Sequence, residues 1–498
     1  MESLLLLLCL ALPLFLFFFF QKHRATTRPH GPRGLPIIGN LHQLHNPTLH
    51  LQLWKFSKKY GPMFSLQLGL RPCLVVSSST MAQEVLKIHD LHFCGRPSFL
   101  SQKKLFYNRV EIAFSPYNDS WREIKKICTV HVFSLNRVSS FSSIRQFEIN
   151  QVIRKISLQA SSSKVTNLSE VVMSLTNTII CRVSFGRSCE EEGRTKSRFL
   201  NLLNESQVLL GTFFVSDYIP LMGWIDKLRG LHARLERNSK EMDAFLQEVV
   251  NQHLDKKSDE EDIIDVLLKL KKQNSFSFDL TYDRIKAVLL DMLVGGTYTS
   301  AATVISAMTK LIGNPKAMMK VQAEVRNSFG NRGFVDEDEI QKLGYLKAVI
   351  KETLRLFPPV PLLLARETNE ECIIKGYKIQ AKTLVYVNAW AIQRDPEIWK
   401  DPEKFYPERF LESSIDFKGQ DFELIPFGSG RRICPGLHFG VANVEIILAN
   451  LLYWFDWEMP TEIEKEVTNS QMQPGIVQIE KDSLFLVPKK MDVLIFFT

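Results

Sequence analysis

A single cysteine stands in the segment of the chain that is richest in turn-forming residues. Residues 426–436 contain three glycines and two prolines around Cys434, and a helical pattern follows. Glycines let the backbone turn tightly and approach a large flat ligand. Backbone amides directed at the sulfur, with a helix N-terminus behind them, would stabilise a thiolate. A thiolate is either a metal ligand or a nucleophile, and His438 is the nearby candidate base for the second role.

Two other segments carry functional groups at helical spacing. Glu352 and Arg355 lie three residues apart in a helical pattern, so they share a helix face and can form an ion pair. The long helical pattern at 282–313 contains the sequence Gly-Gly-Thr-Tyr-Thr-Ser at 295–300. Glycines inside a helix can relax it and leave room for a small ligand. Alone, the Glu352–Arg355 pair would be interpreted as a solvated helix pair.

Together these segments resemble the cytochrome P450 family. The pattern Phe427-x-x-Gly430-x-Arg432-x-Cys434-x-Gly436 is similar to its haem-binding loop. The Glu352-x-x-Arg355 pair looks like its ExxR helix, and residues 405–410, with Arg409, resemble the segment that completes a buried charge cluster. Residues 29–40, 93–97, 121–126 and 388–396 extend the likeness along almost the whole chain, and they are typical of plant microsomal members of the A-type group.

The resemblance implies a fold that is mainly α with small β-sheets, in a single large haem domain. It implies haem b with Cys434 as axial thiolate, and a structural rather than redox role for Glu352, Arg355 and Arg409. The haem carboxylates need cationic or hydrogen-bonding partners, and the resemblance places five side chains around them: Arg96, Trp121, Lys125, Arg366 and Arg432. At the position of Lys125 the family usually has Arg.

The implied activity is that of a monooxygenase, which inserts one oxygen atom of O2 into a small hydrophobic substrate. A cysteine thiolate on haem iron favours O–O cleavage. The chain has no flavin or NADPH fingerprint, so electrons would come from NADPH through the membrane-bound NADPH–cytochrome P450 reductase. By the same analogy the substrate pocket would be lined near residues 99–114, 209–215, 290–300 and 359–364, most of which are apolar.

The central helix departs from the family pattern at one position. In the family, a glycine, an acid and a threonine at this place support oxygen activation, which assigns catalytic roles to Gly296, Tyr298 and Thr299. Tyr298 stands where the acid is expected, and a tyrosine, with a pKa of about 10, stays neutral near pH 7. Two alternatives therefore remain, an isomerase or dehydratase that acts without oxygen activation, and a catalytically impaired haem protein with a regulatory role.

The N-terminus predicts a membrane anchor. Residues 4–20 are apolar, near the lower end of the roughly 17–25 residues that span a bilayer. Basic residues follow this segment, which disfavours a cleaved signal peptide and predicts a cytosolic catalytic domain. We therefore expect an anchor at 1–21, a basic, Pro-rich hinge at 22–40 and a haem-binding domain at 41–498, held as a single-pass protein in the endoplasmic reticulum membrane.

Composition excludes other classes. Charged residues make up 23% and hydrophobic residues 45% of the 498 residues, which is typical of a globular protein. The net charge of +8 is spread along the chain without a nucleic-acid-binding motif, so no nucleic-acid partner is predicted. The eight cysteines are scattered, which fits a reducing compartment.

Coarse patterning predicts the other elements. Strands are expected at 64–68, 73–77, 371–379 and 383–388, and helices at 121–131, 148–158, 235–254, 282–313, 317–329, 345–356 and 439–454. A charged surface loop is expected at 255–262. The apolar stretch at 213–224 fits either ordinary core or a loop that dips into the membrane.

Overall fold

The computed structural model of the protein describes residues 28–44, 48–186, 194–255, 261–273, 278–460, 472–473 and 475–490. The predicted anchor at 1–21, the first part of the hinge and most of the predicted loop at 255–262 lie outside these residues. The described part of the hinge packs on the first strand, where the Ser65 N–H donates to the His30 carbonyl at 3.3 Å.

Helices make up most of the described chain, as the sequence predicts. In chain order they are α1 (Leu49–Tyr60), α2 (Ser79–Gln83), α3 (Asp90–Phe93), α4 (Leu100–Leu105), α5 (Asp119–Ile127), α6 (Leu135–Ser140), α7 (Ser142–Ser161), α8 (Leu168–Phe185), α9 (Arg194–Gly211), α10 (Trp224–Leu228), α11 (Leu231–Asp255), α12 (Ile263–Gln273), α13 (Tyr282–Ile312), α14 (Pro315–Phe329), α15 (Glu337–Ile340), α16 (Gly344–Leu356), α17 (Ala389–Ile392) and α18 (Leu437–Trp454). Single π-helical turns cover Glu84–Ile88 and Cys128–Val132.

The strands form small sheets. They are β1 (Met63–Leu68), β2 (Arg71–Val76), β3 (Thr166–Asn167), β4 (Arg366–Glu367), β5 (Cys372–Ile374), β6 (Tyr377–Ile379), β7 (Leu384–Val387), β8 (Phe455–Glu458) and β9 (Phe485–Lys490). The largest sheet has the order β1-β2-β7-β4, in which β2 and β7 are parallel and the other neighbours antiparallel. The expected strand at 371–379 is the β5–β6 hairpin. The predicted fold class is confirmed for the described residues.

Helix α13 is the centre of the helical core. It begins at the cap residue Thr281, whose side chain accepts a hydrogen bond from the Arg284 N–H at 3.3 Å. Both α13 and α18 are long and apolar enough to cross a membrane, but 78% of each apolar window is buried inside the protein. A helix that is apolar on all sides and buried belongs to the core.

Two adjacent glycines of α13 meet different surroundings. A Cβ atom added to Gly296 would lie 2.8 Å from Cδ1 of Ile180 on α8, whereas a Cβ atom at Gly295 would have no neighbour within 4 Å. Gly296 therefore allows α13 to pack closely on α8, while Gly295 faces open space.

We expect Gly296→Ala to lower the free energy of unfolding by about 1–3 kcal/mol, because the added methyl group overpacks the contact with Ile180. Gly295→Ala is the matched control, which should leave stability unchanged or raise it by up to about 1 kcal/mol through helix propensity. Urea unfolding of both variants measures the difference. Equal stabilities would contradict the close contact.

Candidate active site

The loop at 426–436, here called the Cys434 loop, is held by backbone conformations that glycine permits. Gly428 and Gly430 have φ angles of +69° and +70°, and a Cβ atom at Gly430 would lie 2.2 Å from the Leu86 carbonyl oxygen. The Cys434 N–H donates to the Phe427 carbonyl at 2.9 Å, which closes the loop. The predicted loop residues are thus brought together around one sulfur.

Burial raises the pKa of the Cys434 thiol to about 11, although a backbone hydrogen bond from Gly436 lowers it. By itself this sulfur keeps its proton, and a bound metal cation would be needed to displace it. His438, the candidate base, is exposed and does not line the cavity at Cys434. The geometry therefore favours a metal ligand over an activated nucleophile.

Cys434 opens into a cavity of about 280 Å³ between its loop and α13. Apart from one charged end, the walls are mainly apolar, and each predicted stretch contributes to them: Phe106, Ile112, Phe114, Leu210, Met292, Val294, Val360 and Leu363. A second cavity of about 580 Å³ shares some of these wall residues, among them Phe114, Leu210 and Leu363. The first cavity can enclose a flat ligand between the sulfur and the central helix.

On the α13 side, Gly295, Thr299 and Thr303 follow one another at four-residue spacing and all line the cavity. The Thr299 hydroxyl donates to the Gly295 carbonyl at 2.6 Å, and the Thr303 hydroxyl donates to the Thr299 carbonyl at 2.9 Å. Gly295 lies in the predicted lining stretch 290–300 but has no catalytic role in the sequence prediction, although its spacing from Thr299 would have indicated one. Gly296 also reaches the cavity wall, in addition to its packing on α8.

Tyr298 requires a correction, because it does not line the cavity. Its side chain is buried, and its hydroxyl donates a hydrogen bond to the Asn204 side-chain carbonyl on α9. Burial raises the pKa of Tyr298 further above its usual value, so the group stays neutral. A direct catalytic role, which its position in the motif suggested, does not fit this orientation.

One end of the cavity, here called the cation end, is lined by Arg96, Trp121, Lys125, Arg366 and Arg432. The Arg432 guanidinium lies 4.0 Å from the Trp121 ring centroid and donates to the Cys94 carbonyl at 2.8 Å. Lys125, where the family usually has Arg, donates to the Arg431 carbonyl and lies 5.3 Å from the Trp121 ring centroid. All of the predicted haem-carboxylate partners therefore meet at one place.

The cation end carries more positive charge than its contacts neutralise. Arg366 is paired with Asp90 at 3.2 Å, but Arg96 and Arg432 donate to backbone carbonyls, which bind N–H groups without neutralising their charge. Burial, followed by the charges of Arg432 and Arg366, holds the pKa of Arg96 well below its usual range. Burial lowers the pKa of Arg432 to about 10.

Such an end needs an anionic ligand. The carboxylates of a haem would fit this end, the apolar walls would suit its flat ring, and Cys434 would supply a sulfur ligand to its iron. The residues present therefore suit the group that the sequence implies.

Behind the cavity, Glu352, Arg355 and Arg409 form one fully bonded charge cluster. Arg355 on α16 donates to Glu352 through Nε at 2.7 Å and Nη2 at 2.9 Å, and both side chains have no exposed surface. Arg409 donates to the Glu352 carboxylate at 3.1 Å, and the Tyr406 N–H does so at 2.8 Å. Arg355 also donates to the Gln393 and Pro402 carbonyls, so it ties α16 to the segment before Arg409.

Comparison with known proteins agrees with this geometry. The family model described as Cytochrome P450 matches residues 29–487. A 5-OH-xanthotoxin synthase from Pastinaca sativa is 47% identical over 473 residues, which cover 93% of each chain. A 6,7,8-trihydroxycoumarin synthase from the same plant is 46% identical over 473 residues, again 93% of each chain. The solved structure of a zebra fish cytochrome P450 with progesterone matches 89% of this chain and 100% of its own chain, with a TM-score of 0.77. At 24% identity, this likeness supports the fold alone.

The fold and the site thus define a haem-thiolate protein of the monooxygenase class. The chain belongs to the cytochrome P450 family, and its similarity to plant members over almost the whole length confirms the resemblance found in the sequence.

We expect Glu352→Ala to lower the free energy of unfolding by about 3–5 kcal/mol, because Arg355 would remain buried without a carboxylate. Glu458→Ala is the control, since Glu458 and its partner Lys489 are both more than half exposed, and its loss should change stability by less than about 1 kcal/mol. Urea titration of the detergent-solubilised proteins compares them. Similar losses in both variants would argue against a special contribution of the buried cluster.

Proposed function

We propose that the protein inserts one oxygen atom of O2 into a C–H bond of a small hydrophobic substrate. The substrate is oxidised to its hydroxylated product, and the second oxygen atom leaves as water with two protons and two electrons. The electrons come from NADPH through NADPH–cytochrome P450 reductase. The observation that carries the proposal is that Cys434 and the central-helix residues Gly295 and Thr299 line one cavity, whose walls are mainly apolar apart from the cation end.

In this proposal each wall has a separate task. Cys434 would hold the haem iron, and the side chains of the cation end would hold its carboxylates: Arg96, Trp121, Lys125, Arg366 and Arg432. The haem, when bound, supplies the oxygen activation that a thiolate ligand promotes. Gly295 leaves open space next to Thr299 in the cavity wall, and the Thr299 hydroxyl, which can exchange its bond to the Gly295 carbonyl, would pass protons into the cavity.

The apolar walls favour a neutral substrate with a large hydrophobic surface. Two similar plant enzymes carry names that refer to oxygenated aromatic products, a hydroxyxanthotoxin and a trihydroxycoumarin. We infer that this enzyme also acts on a small, flat aromatic compound of plant specialised metabolism. The aromatic side chains of Phe106 and Phe114, 5.1 Å apart between ring centroids, supply a wall for such a ring.

The isomerase or dehydratase alternative is less well supported. It was suggested by the missing acid at position 298, but the Tyr298 hydroxyl is bonded to Asn204 and lies outside the cavity. Thr299, which oxygen activation would use, remains in the wall.

The test combines a spectrum with turnover. In microsomes, the reduced protein with carbon monoxide should give the Soret band of a thiolate-ligated haem, and Cys434→Ala should abolish it. With reductase and a panel that includes xanthotoxin and simple coumarins, product should form only with NADPH. Thr299→Ala should lower the fraction of NADPH used for product roughly tenfold, while Tyr298→Phe, outside the cavity, should change it much less. Product formed without NADPH would support the isomerase class, and a normal haem spectrum without any turnover would support the impaired protein.

We further propose that the protein is anchored in the endoplasmic reticulum membrane with the catalytic domain in the cytosol. The predicted N-terminal anchor is supported by an exposed apolar patch, formed by Leu35, Ile37, Leu70, Leu221, Trp224 and Leu228. The Leu70 N–H donates to the Tyr218 carbonyl at 2.9 Å, and the Gly69 N–H to the Ile38 carbonyl at 3.2 Å, so the three segments adjoin.

The stretch at 213–224 has features of both predicted interpretations, ordinary core and a loop that dips into the membrane. Phe214 and Ile219 are buried in the protein, whereas Leu221 is 88% and Trp224 57% exposed. The exposed members belong to the same patch as Leu35 and Ile37, where an interfacial contact with lipid would add to the anchor.

We expect Trp224 to contact lipid in the full-length protein. In membranes that contain brominated lipids, Trp224→Phe should remove part of the quenchable tryptophan fluorescence. Trp399→Phe is the control, since Trp399 is only 4% exposed, and it should leave that quenching unchanged. Identical quenching in the wild type and in Trp224→Phe would contradict a membrane contact at this patch.

A further inference from the structure

A short irregular segment, residues 111–115, connects the central helix with the cation end. It contains no helix or strand, so its backbone groups need partners outside regular structure. The Ile112 carbonyl accepts hydrogen bonds from Trp121 Nε1 at 3.0 Å and from Arg432 Nη1 at 3.1 Å. The Ala113 carbonyl accepts one from Arg96 Nε at 2.8 Å, and the Ser115 carbonyl one from Arg432 Nη2 at 2.7 Å.

The N–H groups of the same segment point to two carboxyl groups, of which Glu111 is buried, while Asp291 is partly buried and also lines the cavity. The Ile112 N–H donates to Asp291 Oδ2 at 3.0 Å, across to α13. The Phe114 N–H donates to Glu111 Oε2 at 2.9 Å and Oε1 at 3.1 Å. Because the two carboxyl groups accept from N–H groups only two residues apart, they lie close together, and the charge of Glu111 acts on Asp291. Neither residue was identified from the sequence.

Two carboxyl groups that lie this close together, one of them fully buried, cannot both be ionised without strong repulsion. Burial raises the pKa of Glu111, and burial followed by the charge of Glu111 raises the pKa of Asp291 well above its usual range. The facing charged or titratable groups are Arg432 from the Cys434 loop, Arg96 and Arg109 from the flanking segments, and Cys128 after α5. The arginines favour one negative charge, so the pair holds a single shared proton.

We propose that Glu111 and Asp291 are a positioning pair for the haem site: by sharing one proton they fix residues 111–115 against α13, and this segment in turn fixes Arg96, Trp121 and Arg432 where the haem carboxylates bind. In this role the pair acts through residues 111–115 and not directly on substrate or haem. This inference rests on the proposed haem binding. It adds that firm haem binding requires one proton on the Glu111–Asp291 pair.

The proton makes haem retention depend on pH in a defined direction. A carboxyl group whose pKa is raised in the folded protein keeps its proton at a pH at which the unfolded chain has already lost it. Its contribution is therefore present at lower pH and is lost as the pH rises through the raised pKa, when two adjacent carboxylates repel each other. Residues 111–115 are then held less firmly against α13, and the side chains of the cation end that bind to their carbonyls become less well positioned.

The test is the rate of haem transfer from the purified holoprotein to excess apomyoglobin, from mildly acidic to mildly alkaline pH. In the wild type, transfer should accelerate as the pH rises. In Glu111→Gln, haem transfer should be slow at every pH. The glutamine amide can accept from the Phe114 N–H and donate to Asp291, and it has no proton to lose in this pH range. Asp291→Asn, an independent variant of the same design, should give the same flat profile. Glu111→Leu should lose haem roughly tenfold faster at all pH values, because the Phe114 N–H loses its acceptor and the segment is no longer held in place.

The control is Glu412→Gln, which removes one exposed carboxylate and should keep the wild-type profile. Identical pH profiles in the wild type and in both amide variants would overturn the inference, as would wild-type retention in Glu111→Leu. Because the assay needs no turnover, its outcome is separate from that of the proposed function. A wild-type protein that binds no haem would refute the function itself.

Discussion

A buried charge is stable only when an opposite charge or hydrogen bonds compensate for the loss of water. The two charged regions beside the cavity are compensated in different ways. Behind the cavity, Glu352 lies between Arg355 and Arg409, and the charges are paired within the chain itself. At the cation end, backbone carbonyls satisfy the N–H groups of Arg96 and Arg432 but leave their charge in place. The first arrangement is complete without a ligand and stabilises the fold, whereas the second is complete only with an anion and therefore binds one.

The central helix separates several tasks by the angular position of its side chains. Residues four apart, Gly295, Thr299 and Thr303, face the cavity, while Gly296 meets α8 and Tyr298 meets α9. One turn of helix thus combines an open space, a tight packing contact and a hydrogen bond to a neighbouring helix. The tyrosine that looked like a defect in a catalytic motif is a satisfied contact between two helices, so its presence does not by itself argue for lost activity.

The sequence predicts those parts of the site whose residues are close together in the chain. The Cys434 loop, the Glu352–Arg355 pair and the strands around β1 and β2 depend on local spacing, and local spacing is visible. The orientation of Tyr298 is not visible, because the helical period fixes angles between residues and leaves open which face meets the cavity. Asn204, Glu111 and Asp291 could not be found either, since only folding brings these distant segments into contact. The anchor at 1–21 remains a prediction from the sequence.

The contact between Gly296 and Ile180 also bears on how this protein can change over evolution. The space for a side chain at position 296 is taken up by the isoleucine on α8. A larger residue at 296 becomes acceptable only after position 180 has become smaller, so the order of the two substitutions matters. The positions are therefore epistatic, and descendants that differ at one of them should tend to carry a compensating change at the other.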